Sequence, residues 1–319
     1  MTQQAQSVMG FVLLAFASAC TPVKVQVRAT GDGTTRLECG RDKLRVHFFD
    51  VGQGLAALVE LPTGQLVLVD TGESSTRPGC GGVCRQWNER FLRSLHTAVG
   101  ERAIDVIWLT HPHSDHIGGA VDVMDQFKVR VLVHNGVGGS SATSGKVLAA
   151  AAAHQVEVRV ATKSILDDIT SGESLLRLTG ILPSSLGSCG RDVNNCSVGL
   201  RVAYCESSVL FVGDAEAEEE GEFEGVEGAD VLQVGHHGSD TSSTLEFVKR
   251  VKPSWAVVSS GHPDEGTNRT YCHPRLAALQ RLGSVLPAGE NSKVRAFSGS
   301  DCKGSAGGAG WNDDRDRAY

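Results

Sequence analysis

The chain has 319 residues, 38 of them glycine, with 40% hydrophobic and 5% aromatic side chains and a formal charge of −7 at pH 7. This composition fits a turn-rich globular α/β protein. The acidic balance argues against a nonspecific nucleic-acid binder, whose footprint is usually basic, and no apolar run after residue 20 has the length of a membrane span.

Residues 1–20 read as an export signal. Phe11 to Ala19 is an apolar run too short to cross a bilayer, closed by the small residues Ala17-Ser18-Ala19 and then Cys20. Two outcomes stay open: simple cleavage to a secreted protein, or lipidation of Cys20 to a cell-envelope lipoprotein whose only membrane contact is that anchor. The nine cysteines point to an oxidising compartment. With Cys20 lipidated, eight remain for disulfides. Cys80 and Cys84 read as a short disulfide loop, and Cys189 with Cys196 as a second pair flanking one loop.

Residues 21–43 read as a tether leading into the fold, with a turn at Gly31-Asp32-Gly33-Thr34. Strands follow at 45–50, 56–61 and 66–70, the last two joined through Pro62-Thr63-Gly64. A Gly- and Cys-rich insertion fills 73–85 and a helix 86–98. The apolar run Val106-Ile107-Trp108-Leu109 is a buried strand. After it come a helix at 117–127, a strand at 129–133, an Ala-rich helix at 143–154 and a strand at 157–160. The pattern returns to β at 175–182, 198–204 and 208–212. An acidic helix at 216–224, a strand at 230–234, a helix near 242–251, a strand at 255–259, a helix at 274–282 and closing strands complete the series. Two β-rich halves with interleaved helices predict a four-layer αββα sandwich over residues 44–300. The Gly-rich, charged stretch 301–319 reads as a disordered tail.

The chemistry concentrates in His111-Pro112-His113-Ser114-Asp115-His116, which packs three imidazoles and one carboxylate into six residues on the loop that ends a buried strand. His111 and His113, two residues apart on extended chain, can grip one ion. Asp115 and His116 are then free to reach a second. Neutral imidazole and carboxylate oxygen suit zinc and its first-row neighbours. Gly118-Gly119 lets a helix start close against the loop. No Gly-x-Ser-x-Gly nucleophile elbow occurs.

This His-x-His-x-Asp-His motif resembles the signature of the metallo-β-lactamase-fold superfamily. Val46 to Gly54 and Leu66 to Gly72 are similar to the opening strands of one branch, the hydrolase domain of ComEC-type competence proteins and their stand-alone relatives. Asn194-Asn195-Cys196-Ser197, Phe211-Val212-Gly213-Asp214, Val234-Gly235-His236-His237-Gly238-Ser239 and Asn268 through Pro274 resemble its later motifs in order.

The resemblance implies two divalent metal ions, zinc first and manganese as the alternative. Their ligands would be His111, His113, Asp115, His116, Asp214 and one of His236 and His237, with His236 favoured as nearer the strand end. Asp214 would bridge the ions, and Asp70 would orient a ligand histidine by accepting its N–H. In the branch, Asn-Asn-x-Ser replaces a histidine that many superfamily members give to the first metal. A hydroxide held by the metals would attack the substrate, with Asn195 and His273 assisting the substrate or leaving group. A small or polymeric phosphodiester is the leading substrate class. A nuclease acting on nucleic acid, a β-lactamase-type amide hydrolase and a non-catalytic scaffold are the alternatives. No protein partner is indicated. Leu55 stands where the branch commonly carries an acidic or small polar residue, while His47, His134 and His154 read as structural.

Overall fold

Apolar residues on both faces of short strands force helices onto one side of each sheet and the other sheet onto the remaining side. The computed structural model describes residues 27–30, 38–137, 141–170, 174–187, 192–262 and 265–287. The export signal, Cys189, the closing strands past residue 287 and the tail lie outside them.

The first sheet runs in the order β1 (Val27–Thr30), β2 (Glu38–Phe48), β3 (Ala57–Glu60), β4 (Leu66–Val69), β5 (Ile104–Trp108), β6 (Val129–His134) and β7 (Glu157–Val160). The second runs β12 (Trp255–Val257), β11 (Val231–Gln233), β10 (Ser207–Phe211), β9 (Gly199–Tyr204) and β8 (Leu176–Ile181). The described helices are α1 (Gly82–Val99), α2 (Ser114–Ile117), α3 (Ala120–Gln126), α4 (Ala142–Ala153), α5 (Ala217–Glu222), α6 (Leu245–Val251), α7 (Asn268–Tyr271) and α8 (Leu276–Gly283).

Strand β4 shows how the layers arise. Val67 and Val69 join Trp108, Leu200, Val202 and Phe211 in the core between the sheets. Leu66 and Leu68 pack the other way, with Phe91 and Leu95 of α1, Val123 of α3 and Val147 of α4. Leu210 and Leu232 face Phe223 beside α5 and Phe247 of α6. Helix, sheet, sheet and helix are therefore stacked as the sequence predicts.

Strand direction places the site. β4 and β5 pair in parallel, as do β10 with β11 and β11 with β12. Parallel neighbours need crossovers, supplied by α1, α5 and α6, so these strands end at one edge. Loops at the carboxyl ends of such strands are where α/β sheets build ligand sites. Below that edge, Trp108 Nε1 donates to the Val198 carbonyl at 2.9 Å and Val198 N donates to Thr110 O at 2.9 Å, stitching the sheets together.

Three local expectations change. The segment expected as a tether already pairs in the sheet, since β1 and the first half of β2 form an antiparallel ladder. Cys39 of β2 is bonded to Cys205 at the β9–β10 turn, a pairing between residues 166 apart that no spacing rule reveals. Helix α1 begins inside the expected insertion, where the Cys80–Cys84 disulfide and Trp87 form a small buried cluster. The helix expected at 117–127 is two helices, α2 and α3, divided by Gly118-Gly119. A side-chain carbon at Gly119 would lie 2.3 Å from the Thr71 carbonyl oxygen, so only glycine permits this approach. Cys196 and Cys272 each take part in a further disulfide.

Helix α5 holds two buried acids in opposite circumstances. Glu220 accepts from the N–H groups of Ser243 and Thr244 and from the Thr244 hydroxyl, tying α5 to the start of α6. Its neighbour Glu219 is 1% exposed, and neither of its carboxyl oxygens has a hydrogen-bond donor. Burial, and then the charges of Glu222, Glu220 and Glu216, push Glu219 up to about 10 from an ordinary 4.5. The folded chain therefore holds a proton there at pH 7 that the unfolded chain has released. A raised folded pKa contributes stability below the unfolded value and loses it as pH climbs. At pH 7 the lost stability is on the order of 3 kcal/mol. Glu219→Gln keeps the shape and removes this dependence. Denaturant titrations across pH should show the variant more stable at pH 7, with the advantage shrinking to nothing below about pH 4. Parallel profiles for the two proteins would contradict the assignment.

Candidate metal centre

The centre is built on Asp70, which is fully buried and follows β4 with a left-handed φ of 54°. Its Oδ1 accepts from the Thr110 backbone N–H at 2.8 Å. Its Oδ2 accepts from the Thr110 hydroxyl at 2.8 Å and lies 2.7 Å from His116 Nδ1. A carboxylate can only accept, so His116 carries its proton on Nδ1 and turns the Nε2 lone pair inward. The Thr110 hydroxyl has spent its one proton on Asp70 and must accept from His111 Nδ1, 3.1 Å away. His111 Nε2 is thereby left bare, facing His113 Nδ1 at 3.1 Å. One carboxylate sets two tautomers.

The second sheet supplies the other half. Gly213, at φ 59°, turns the chain after β10 and presents Asp214, which is 2% exposed. Asp214 Oδ1 lies 3.0 Å from His116 Nε2, and its Oδ2 lies 3.2 Å from His237 Nε2 and 3.8 Å from His111 Nε2. His237 Nδ1 donates to the Ser259 carbonyl at 2.7 Å, so its Nε2 also bears a lone pair. Asp115 Oδ2 stands 3.5 Å from that nitrogen.

The structure corrects the choice between the two histidines after β11. Both adopt left-handed backbone, φ 47° at His236 and 55° at His237. This unusual double turn tucks His237 into the cluster. His236 is half-buried, with Nδ1 3.1 Å from Glu216 Oε1 and Nε2 3.4 Å from Asn194 Nδ2 and 4.0 Å from Asp214 Oδ2. Its ring nitrogens are engaged at the rim.

The hydrogen bonding of the donor set leaves lone pairs free for a cation. His116 Nε2 and His237 Nε2 face each other at 3.2 Å, both as lone-pair atoms in the neutral rings. Asp214 Oδ1 is buried and accepts no hydrogen bond. Two overlapping groups, His111–His116–Asp214 and Asp115–His116–His237, bring their ligand atoms within 4.8 Å of one another. Lone pairs and carboxylates converging on one buried space fit divalent cations.

Without a cation, protons hold the cluster together. Burial works against charging His237, yet Asp214 and Asp115 lift it to about 9. His116 is raised well above its ordinary value against the same burial, by Asp214 and Asp70. Asp214 is correspondingly held low by His116 and His237, despite burial. His111 falls well below the usual range through burial and the neighbouring His116. Metal binding must therefore displace protons.

Around the cluster, the amide that reaches it is Asn194 rather than Asn195. Both Oδ1 atoms are buried without a donor, but Asn194 Nδ2 contacts His236. His273 is 5% exposed, its ring 6.3 Å from that of His237, and burial followed by His237 and His236 pushes it down to about 3. Burial and its imidazole neighbours thus favour the neutral ring at His273. Leu55 is fully buried in the inter-sheet core, where an acidic residue would be costly. His47 pairs with Glu60 at 2.7 Å and His154 with Asp125 at 2.7 Å, away from the centre. His134 Nδ1 accepts from Gly136 N at 3.1 Å. Thr110 and the Ser259 carbonyl escape sequence reasoning, because nothing in their residue type separates them from ordinary loop positions.

The profile of the metallo-β-lactamase superfamily matches residues 49–262. The chain belongs to this superfamily. Among its relatives, ComE operon protein 3 of Bacillus subtilis is 31% identical over 257 residues, which are 76% of this chain and 31% of that protein. Recombination protein 2 of Haemophilus influenzae is 30% identical over 251 residues, 78% of this chain and 28% of the relative. The chain thus spans less than a third of these relatives. Igni18, a metallo hydrolase from Ignicoccus hospitalis, aligns in structure at a TM-score of 0.41 and 18% identity, covering 75% of this chain and 91% of Igni18. In this metallo-hydrolase fold the chain carries His111, His116, Asp214 and His237 on the segments that follow strand ends. No helix among the described residues is long and apolar enough to cross a membrane.

Asp70→Asn tests how the centre is organised. An amide can present an N–H where the carboxylate only accepted, so neither His116 nor His111 is held in its metal-binding tautomer. Affinity for divalent cations should fall about 10- to 100-fold at both donor groups, measured by chelator competition with the circular dichroism unchanged. Loss at one position alone would break the proposed relay through Thr110.

Proposed function

We propose that the chain is a binuclear, metal-dependent phosphodiesterase. The observation that carries this is the pair of overlapping donor groups that share His116 and meet at Asp214. His111, His113 and Asp214 would hold one ion, and Asp115, His116, His237 and Asp214 the other. Imidazole and carboxylate donors favour zinc, with manganese as the alternative. When bound, such ions lower the pKa of water and neutralise charge on the group under attack.

The protein's own residues do the rest. Asp214 fixes the separation of the two donor groups, and Asp70 fixes their tautomers. Asn194, standing where many members carry histidine, offers a buried, unsatisfied amide oxygen at the rim. Replacing an imidazole by an amide weakens one ligand position and adds hydrogen-bonding capacity suited to a hydrated phosphate group. This supports phosphodiesters over the cyclic amides of β-lactamases. The competence-named relatives support polymeric nucleic acid as one candidate substrate. The disulfides support an exported protein, with Cys20 as a lipid anchor or a simple signal-cleavage product.

Hydrolysis of bis-p-nitrophenyl phosphate, single-stranded DNA and nitrocefin, measured side by side with metals varied, tests the reading. Turnover of the phosphodiesters and not of nitrocefin is expected. Asp214→Asn should reduce it at least about 10²-fold with the fold intact, while the exposed control Asp240→Asn changes little. Near-normal turnover in Asp214→Asn, or hydrolysis of nitrocefin alone, would overturn it.

A further inference from the structure

Gln53, in the Gly52-Gln53-Gly54 loop, is 1% exposed and lies 220 residues from its partner His273 in sequence. Its side-chain orientation is settled by hydrogen bonding. The Gly261 backbone N–H, which can only donate, points at Gln53 Oε1 from 3.3 Å. The amide nitrogen therefore faces the other way, 3.1 Å from His273 Nδ1. An amide NH2 has no lone pair to accept with, so Nδ1 must be the acceptor. The ring proton then resides on Nε2, the nitrogen turned away from Gln53.

The frame around this bond is rigid. Asn268 is fully buried; its Nδ2 donates to the carbonyls of Gly261 and His273, and its Oδ1 accepts from His273 N at 2.7 Å. One side chain thus brackets both backbones that Gln53 reads. Gly261 has no room for a side chain, since a carbon there would lie 2.7 Å from Gln53 N. On its other side the loop meets the centre directly: Leu55 N donates to the Asp115 carbonyl at 3.2 Å, and Ser259 Oγ donates to Gly54 O at 2.7 Å. The His273 ring borders the cluster, 5.5 Å from the His236 ring and lying within 25° of the His237 plane.

We propose that Gln53 is a positioning residue that locks His273 as a hydrogen-bond donor through Nε2, directed at an anionic oxygen of the substrate. Its donation withdraws His273 from metal binding, because a protonated Nε2 has no lone pair to coordinate. It also gives the Gly-Gln-Gly loop a role that the metal-ligand inventory leaves unassigned. The substrate part of the proposal rests on the phosphodiesterase reading; the tautomer part stands without it.

The tautomer is read by two-bond proton–nitrogen correlation on histidine-labelled, zinc-loaded protein, with His273→Ala identifying the resonance. The wild type should show His273 protonated at Nε2 and bare at Nδ1. Gln53→Glu retains the bond to Gly261 but puts an acceptor against His273, and should move the proton to Nδ1. Gln53→Met, which can neither donate nor accept there, should leave a mixture, and serves if the glutamate variant does not fold. Bis-p-nitrophenyl phosphate hydrolysis should fall about 10²-fold in Gln53→Glu and by a smaller factor in Gln53→Met, mainly in kcat, with metal content unchanged. Adding Gln53→Glu to His273→Ala should cost little more, as for residues acting as one unit. A wild-type His273 protonated at Nδ1, or a tautomer indifferent to Gln53, overturns the proposal. Correct tautomers in a protein that cleaves no phosphodiester would instead remove the substrate reading and leave the positioning role standing.

Discussion

Everything at the centre hangs on a buried carboxylate that accepts and never donates. Asp70 sits where β4 ends, beside the parallel end of β5, and takes hydrogen bonds from Thr110 and His116 across that junction. Burial raises its own pKa, so its charge is maintained only by the donors around it. In return it dictates which nitrogen of His116 and His111 is bare. Two imidazoles are thereby aimed before any ion arrives, which is the condition for tight metal binding by a protein site.

The second constraint is the seam between the sheets. Asp214 arrives from β10, and His237 from β11, on a scaffold stitched to the first sheet by Trp108 and Val198. Consecutive left-handed residues at His236 and His237 are costly for side-chain-bearing amino acids. Here that geometry pushes one imidazole inward and leaves the other at the rim, bonded to Glu216. The ordering of these loops explains how opposite sheets contribute to a site whose ligand atoms lie a few ångströms apart.

Much of this is legible in the sequence, for identifiable reasons. Short apolar runs such as Val106–Leu109 and Val209–Val212 stand out because they are buried on both faces, and the ligands that follow them are chemically distinctive. The four layers follow from the order of those runs. What stays hidden depends on backbone shape or on bare hydrogen-bonding partners. His236 is nearer its strand end than His237 and so looks the better ligand; only the left-handed turn reverses this. Asn194 and Asn195 are equivalent as letters, and the 3₁₀ turn Val193–Cys196 decides which one meets His236. The Cys39–Cys205 pairing and the early start of β2 depend on contacts between distant segments, to which local periodicity is blind.

The central claim is that two divalent ions sit between the sheets, joined by Asp214, in tautomer-fixed imidazole ligands. Anomalous diffraction from crystals of zinc-loaded protein tests it most directly. Two peaks per chain are predicted, one against His111 and His113 and one against Asp115, His116 and His237, with Asp214 touching both. A single peak, no peak, or zinc bound through His236 or His273 in place of His237 would contradict it.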